Sequence, residues 1–382
     1  MAWQFILSDL QGAVHGELTQ ASSRKVSDPW MRVPTASCSI PLWHPLADTV
    51  MSTACLLRCY RTDDLTGTRT LVFHGPVLTA EENADSGSQT IGITAVGVFA
   101  RLAKRLLGTT RAGIEFGTVP SPVDLSVIGR NIVDTVNGSS YTGITTSSTG
   151  GSGAITTNTG EPAATGKWWL KPAAEAIAEI SAGLNSFEWR VRPTEPISGL
   201  SHPRIGLIDF APQSTFDVLR SDAIYEYGTT RANIASYSRK VSRETFINRA
   251  WISVQGWPDG PAVVNGVKQN VIVSSDNPSV VADSLYEEVV PEGGVTDNNL
   301  RILIAQFHLK YRAKARQQIT FTPAPNSRPT PYVDYFVGES IRARAEVRGV
   351  TRFDALFRVF GITFDIDANG AETIEIELIE PA

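Results

Sequence analysis

Five histidines (His15, His44, His74, His202 and His308) are scattered through 382 residues, none four apart and none in a His-Glu-x-x-His pattern. A zinc hydrolase needs two imidazoles brought to one helix face by such spacing, so no metal-hydrolase centre is expected. Cys55 and Cys59 stand four apart, but the only other cysteine is Cys38. An odd number without a second pair reads as buried small side chains, not a metal site or a disulfide framework. No phosphate loop and no dinucleotide fingerprint occur, and the glycine-rich Thr149–Gly153 has neither a lysine nor a helix behind it. There is no Gly-x-Ser-x-Gly elbow for a serine hydrolase. Glycoside hydrolysis needs two carboxylates about 5–10 Å apart in a cleft. The acids Asp63-Asp64, Glu81-Glu82 and Glu287-Glu288 are sequence neighbours, the usual habit of solvated turn or helix residues. The expectation is a protein with no catalytic residues, no cofactor and no metal.

Binding chemistry fares little better. The formal charge of −5 and pI near 5.7 oppose a general nucleic-acid binder. The run His308, Lys310, Arg312, Lys314, Arg316 falls in the second half of a predicted helix, where the helix dipole favours cations, and reads as a solvated face. Among eight tryptophans, the adjacent Trp168 and Trp169 are the best candidate glycan contacts, with core or interface packing as the alternative. No stretch approaches the roughly 18 apolar residues of a membrane span. MAWQFILSDLQG lacks a basic leader region, so synthesis in a cytoplasm and a soluble product are expected.

The elements that would position any such residues are mostly strands. Charged residues are 19%, hydrophobic residues 42% and mean hydropathy −0.06, the balance of a globular chain rich in turns. Strands are predicted over Trp3–Leu7, Thr35–Leu42, Ala54–Tyr60, Arg69–Thr79 and Gln89–Ala95, with a bulge or edge at Gly75-Pro76 and a polar loop over Glu81–Ser88. Phe99, Leu102, Ala103 and Leu106 predict an amphipathic helix over Val98–Leu107, and a second is predicted over Asp124–Val136. In Asn137–Gly166, 20 of 30 residues are Gly, Ser or Thr, so this segment reads as a surface loop or an extension that orders on a partner. Ile177, Ile180 and Leu184 predict a helix after Pro172, followed by a strand at Phe187–Val191 and another at Ile205–Phe210.

Tyr225–Ser236 gives no clear pattern, whereas Val241–Gly256 reads as one long strand. In it Ala250, Ile252 and Val254 face one way and Arg249 and Trp251 the other, ending at Gly-Trp257-Pro-Asp-Gly. Trp and Arg are enriched at interfaces, so Arg249, Trp251 and Trp257 are candidate interface residues. Helices are predicted at Asp283–Glu288 and Asp297–Ala315. Strands close the chain at Ser340–Arg348, Leu356–Ile366 and Thr373–Ile379, the middle one with Leu356, Phe360, Ile362, Phe364 and Ile366 on one side. The fold class is mainly β (α+β).

The order of these elements carries a resemblance. The hairpin RTLVFHGPVLTAEENADSGSQTIGITAVG precedes VFARLAKRLL; FEWRVRP, NRAWISVQG, QQITFTPAP and YFVGESIRARAEVRG follow, and FRVFGITFDIDANGAETIEIELIEP closes. This resembles the hub-type minor tail proteins of long-tailed bacteriophages (siphophages), similar to the baseplate hub of contractile tails. The resemblance implies two β-barrel tube-like modules with smaller inserted α/β domains. The division is residues 1–108 as the first module, 109–200 as an inserted domain with the loop 137–166, and 201–382 as the second module. It implies a homotrimer at the tail tip of the virion, joining distal tail and tape-measure proteins to other tail-tip or fibre proteins, with genome DNA passing through unbound. Glu375 and Glu377 are candidate lumen residues in such a ring, with outer-surface exposure an equal alternative. A host receptor- or carbohydrate-binding tail protein using Trp168 and Trp169 is the second reading.

Overall fold

The computed structural model describes residues 2–64, 66–85, 89–107, 125–139, 142–148, 171–181, 187–195, 204–212, 215–242, 249–253, 263–264, 267–268, 272–273, 287–291 and 316–380. The chain forms two compact units, one of Met1–Thr157, Ala163–Tyr237 and Thr320–Leu378, the other of Asn158–Pro162, Ser238–Ile319 and Ile379–Ala382.

Strands β1 (Ala2–Asp9), β2 (Val14–Glu17), β3 (Ser22–Pro29) and β4 (Thr35–Pro41) open the chain, followed by helix α1 (Ala47–Ser52), β5 (Cys55–Thr62), β6 (Arg69–Ala84) and β7 (Gln89–Val96). A 3-10 helix (Val98–Lys104), α2 (Leu125–Ser139), β8 (Ile144–Ser148), α3 (Ala173–Ser181), β9 (Phe187–Pro193) and β10 (Gly206–Pro212) come next. Then follow β11 (Leu219–Tyr227), β12 (Ile234–Ser242), β13 (Arg249–Ser253), β14 (Val263–Val264), β15 (Val267–Lys268), β16 (Ile272–Val273), β17 (Glu287–Pro291) and β18 (Arg316–Pro323). The last three are β19 (Ser340–Val347), β20 (Val350–Ile366) and β21 (Glu372–Ile379). The mainly-β expectation holds.

One 13-stranded sheet runs β12-β18-β21-β20-β3-β4-β7-β6-β5-β1-β2, with β19 pairing on β20 and β11 on β19. N-terminal β3 thus lies directly beside C-terminal β20, so chain ends more than 300 residues apart share one hydrogen-bonded ladder. Strand β6 changes partner halfway. Arg69–Pro76 pairs with β5, and Val77–Ala84 with β7. The pivot is the Gly75-Pro76 step, where the sequence predicts a bulge or edge. A Cβ at Gly75 would lie 1.8 Å from the Val96 carbonyl oxygen, so only glycine lets the two backbones approach. Glu81–Ala84, expected as loop, continues the strand with its side chains outward.

A second core belongs to the middle of the chain. Phe99, Leu102, Ile132, Val133, Ile177, Phe187 and Phe210 are buried together, with Phe99 stacked on Trp189 at 4.2 Å between ring centroids. Burying side chains of this size stabilises by about 1.5–3 kcal/mol each. Here the expected α-helix over Val98–Leu107 is a 3-10 helix ending at Lys104. Phe99 and Leu102 are three apart, and a three-residue turn stacks them on one side just as well. The Gly/Ser/Thr-rich segment is not wholly a loop. Within it α2 runs on to Ser139, and Ile144–Ser148 forms a strand parallel to β10, anchored by the fully buried Ile144.

Further corrections fall in the second half. The unclear Tyr225–Ser236 holds the end of β11, a turn and the start of β12, with Gly228 at φ 73° and the Asn233 side chain bonded to the backbone of Ile224 and Glu226. Of the expected strand over Val241–Gly256, the described residues fall in β12, up to Ser242, and in β13, Arg249–Ser253; residues 243–248 and 254–256 lie outside the described residues. Glu287-Glu288, expected as helix, open β17, where Val289 and Val290 favour a strand paired in parallel with β13. The expected helix at Asp297–Ala315 lies outside the described residues.

In β20 the inward set changes phase. Phe353, Phe357 and Val359 are buried, then Ile362, Phe364 and Ile366, while Leu356 is exposed and Phe360 half-buried. The expected continuous side from Leu356 to Ile366 therefore breaks. The first half of β20 pairs with β19 and the second with β3, with β21 a third neighbour, and the inward face turns where β19 gives way to β3.

Candidate functional site

The second half of β20, with β3, β4 and β7, makes a sheet with two unlike faces. On one, Phe364, Val26, Ala36 and Ala95 sit opposite one another across four strands, each at most 1% exposed. One residue along, the rung reads Asp365, Lys25, Ser37, Thr94 and Thr79. The rungs beside it read Thr363, Ser27, Thr35, Val96 and Ser22, Ser39, Gly92, Glu81. Period-two alternation in TASCSIP sends Ala36, Cys38 and Ile40 inward, leaving Thr35, Ser37 and Ser39 on this outer face. The result is a surface of hydroxyls and small groups. Ser27 Oγ and Thr363 Oγ1 are 3.1 Å apart, and the Lys25–Asp365 pair (3.5 Å) has both side chains more than half exposed.

Strand β21 extends this surface. A Cβ built on Gly361 would stand 3.8 Å from the Glu377 Cβ, and Gly361 shares the parity of Thr363 and Asp365. Glu377 therefore rises on the hydroxyl face, and Glu375, two residues earlier and exposed, rises with it.

Buried charges hold the sheet in register beneath that face. Arg61, 2% exposed, grips both oxygens of Glu372 (3.0 and 2.7 Å), and Trp3 Nε1 donates to the same carboxylate at 2.8 Å. This ties β5 and β1 to the first residue of β21. Arg358 grips Glu188 of β9 at 2.6 and 2.8 Å, donates to the Gly338 carbonyl, and lies over the Trp30 ring at 4.6 Å. Asp63, nearly fully buried, pairs with Arg328, which also pairs with Asp334. Tyr332 donates to Asp28 at 2.6 Å, and burial raises the Asp28 pKa to about 6 against the pull of that bond and of Arg190. Burial lowers His74 to about 3, so it is neutral, its Nδ1 bonded to the Thr194 carbonyl. No group of three or more His, Cys, Asp or Glu that would hold a metal occurs among the described residues.

The residues singled out from the sequence fall apart in space. Trp168, Trp169 and Trp257 lie outside the described residues. Arg249 and Trp251 lie in β13, where Trp251 is opposite Ile272 of β16 and Val289 of β17. Glu375 and Glu377 alone join the hydroxyl face. Sequence reasoning missed Ser37, Thr94 and Thr363, although the alternation of TASCSIP held the signal.

No family model matches the chain, and no curated protein matches it. Solved structures do. A tail protein from Neisseria meningitidis MC58 superposes with a TM-score of 0.58 at 12% identity, covering 100% of this chain and 97% of that one. A 43 kDa tail protein of prophage MuSo2 from Shewanella oneidensis gives 0.56 at 13% identity, covering 99% and 98%. A chain of the lidded Francisella PdpA-VgrG complex gives 0.56 at 9% identity, over 99% of this chain and 52% of that one. At such identities the likeness is one of architecture, and the resemblance read from the sequence holds at that level: this chain has the fold of phage tail proteins, shared with a component of the PdpA-VgrG complex.

Proposed function

We propose that this protein is a structural component of a phage tail, forming a trimeric hub at the tail tip whose channel is walled by the hydroxyl-lined face of β21, β20, β3, β4 and β7. The observation that carries the reading is that face itself, in a chain with the fold of tail proteins. A channel for a polyanion works best where no array of cations binds phosphates, because phosphate contacts dominate nucleic-acid affinity. Hydroxyls and small groups, with Asp365, Glu81, Glu375 and Glu377 against Lys25, provide such a wall. DNA then passes without specific binding, and the role requires no catalysis.

In this assembly three copies, each with two tube-like modules, adapt a sixfold tube to a threefold tip. The modules correspond to residues 1–108 and 201–382, with 109–200 inserted between them. Distal tail and tape-measure proteins lie above, and fibre proteins below. Arg249, Trp251 and Trp257 are the proposed contacts to a neighbouring subunit or domain. Cryo-electron microscopy of the virion tail tests the reading. The expected map has three copies around the axis, with Ser37 and Thr94 facing the channel; a map with that face on the outer surface overturns it.

A further inference from the structure

A cavity of about 130 Å³ opens beside β3 and β9. Its apolar wall is made by Trp30, Leu71, Phe336 and Val337. An engineered cavity of about 150 Å³ holds benzene, so this one has room for a single ring or a branched aliphatic group. The wall is firmly built. Trp30 is 5% exposed, packs edge-on against Phe216 at 5.8 Å and lies under Arg358. It also fills the space at Gly338 (φ 91°), where a Cβ would come within 2.1 Å of its ring.

The polar side is unbalanced. Arg190 and Arg192 both line the cavity and both pair with one carboxylate, Asp209, at 3.2 and 2.6 Å. Arg32 also lines it, exposed at its edge; its guanidinium lies 5.8 Å from the Phe360 ring centre, and no carboxylate partners it among the described residues. Three guanidinium groups thus face two acids, Asp209 and Asp28, leaving one net positive charge beside an apolar wall.

We infer that this cavity binds a carboxylate carried on an apolar group about the size of a benzene ring, the apolar part against Trp30 and Phe336 and the carboxylate on Arg32 and Arg192. Bidentate guanidinium–carboxylate geometry supplies orientation, and the wall supplies burial. Two sources share this chemistry: a free aromatic or branched acid, and the C-terminal residue of a polypeptide. The inference does not depend on the trimeric ring.

Asp28 gives the site a pH signature. It faces Tyr332 and Arg190, with Arg32 and Arg192 on the same cavity, and while ionised it repels an incoming carboxylate. Protonation near pH 6 removes that repulsion, so affinity rises as pH falls from 7.5 to 5.5.

Isothermal titration calorimetry on the full chain tests this, with sodium phenylacetate, acetyl-Gly-Gly-Phe and the C-terminal amide of that peptide as probes. Saturable one-site binding of phenylacetate, of the peptide acid, or of both is expected, with the amide silent. Phenylacetate alone identifies a small acid as the source, and the peptide acid alone a chain terminus. Arg32→Gln with Arg192→Gln should weaken binding at least tenfold. Asp28→Asn should bind at pH 7.5 as tightly as the wild type does at pH 5.5 and lose the pH dependence. Thermal melts establish that each variant is folded. Failure of both acids to bind wild type and Asp28→Asn, equal binding of the amide, or unchanged affinity in the double arginine variant overturns the inference.

Discussion

Two ion pairs of the same sheet live in opposite surroundings. Arg61–Glu372 lies in the interior, with side chains 2% and 9% exposed, and it is bidentate and shared with Trp3. Lys25–Asp365 lies on the hydroxyl face at 3.5 Å, with both partners more than half in water. The first is bound to structure, because a lone charge left in the interior is costly. The second is screened by solvent and contributes little. The interior of this protein therefore specifies which strands meet, while the hydroxyl face is free to be shaped by what lies against it.

The largest expected effect breaks the interior pair. Arg61→Ala leaves Glu372 buried without its cation and should cost about 3–5 kcal/mol, read by chemical denaturation. Replacing both partners (Arg61→Met with Glu372→Leu) should recover a large part of that loss, and no recovery would show that packing, not charge, dominates the site. Gly338→Ala tests the interior by shape. Its Cβ would collide with Trp30 from a positive-φ backbone, for an expected loss of about 2–4 kcal/mol in the same experiment.

Asp28→Asn sharpens the comparison from the opposite direction. The folded-state pKa of Asp28 is about 6 against an ordinary 3.8, so stability is lost as pH rises through that window and ionisation is forced on a desolvated carboxyl. The amide should therefore stabilise by about 1–3 kcal/mol above pH 6 and by nothing below pH 4, seen as a melting difference that vanishes on acidification. The smallest effect belongs to the outer face. Lys25→Ala should change stability by less than about 1 kcal/mol, and a larger loss would mean that the pair is not the solvent-screened contact its exposure implies.

Legibility followed the same division. Residue pattern told the strands at Thr35–Leu42, Gln89–Ala95 and Thr373–Ile379, and in the last of them also the inward face of Ile376 and Leu378, since a period of two fixes both at once. Alternation also carried the hydroxyl face, written in the same residues as the core. It misled in β20, where Leu356 fits the side of Ile362 and Phe364 by counting, yet a change of partner strand turns it to solvent. It was silent at β8, whose Thr-Thr-Ser-Ser run becomes a strand only because β10 offers a parallel edge and Ile144 finds a core. Glu287-Glu288 likewise took strand form from β13 beside them.

The sequence by itself determined the mainly-β class, the absence of any familiar catalytic motif and the two-faced character of the closing strands, because these depend on residue type and spacing within a few positions. Only the tertiary structure decided that β20 lies beside β3, that Arg61 meets Glu372 and Arg358 meets Glu188, and that Arg190 and Arg192 share a cavity with Asp28 and Arg32. Those facts depend on contacts between residues about 160 to 340 positions apart, where a single charge or hydroxyl carries no mark of its partner until the ladder brings them together.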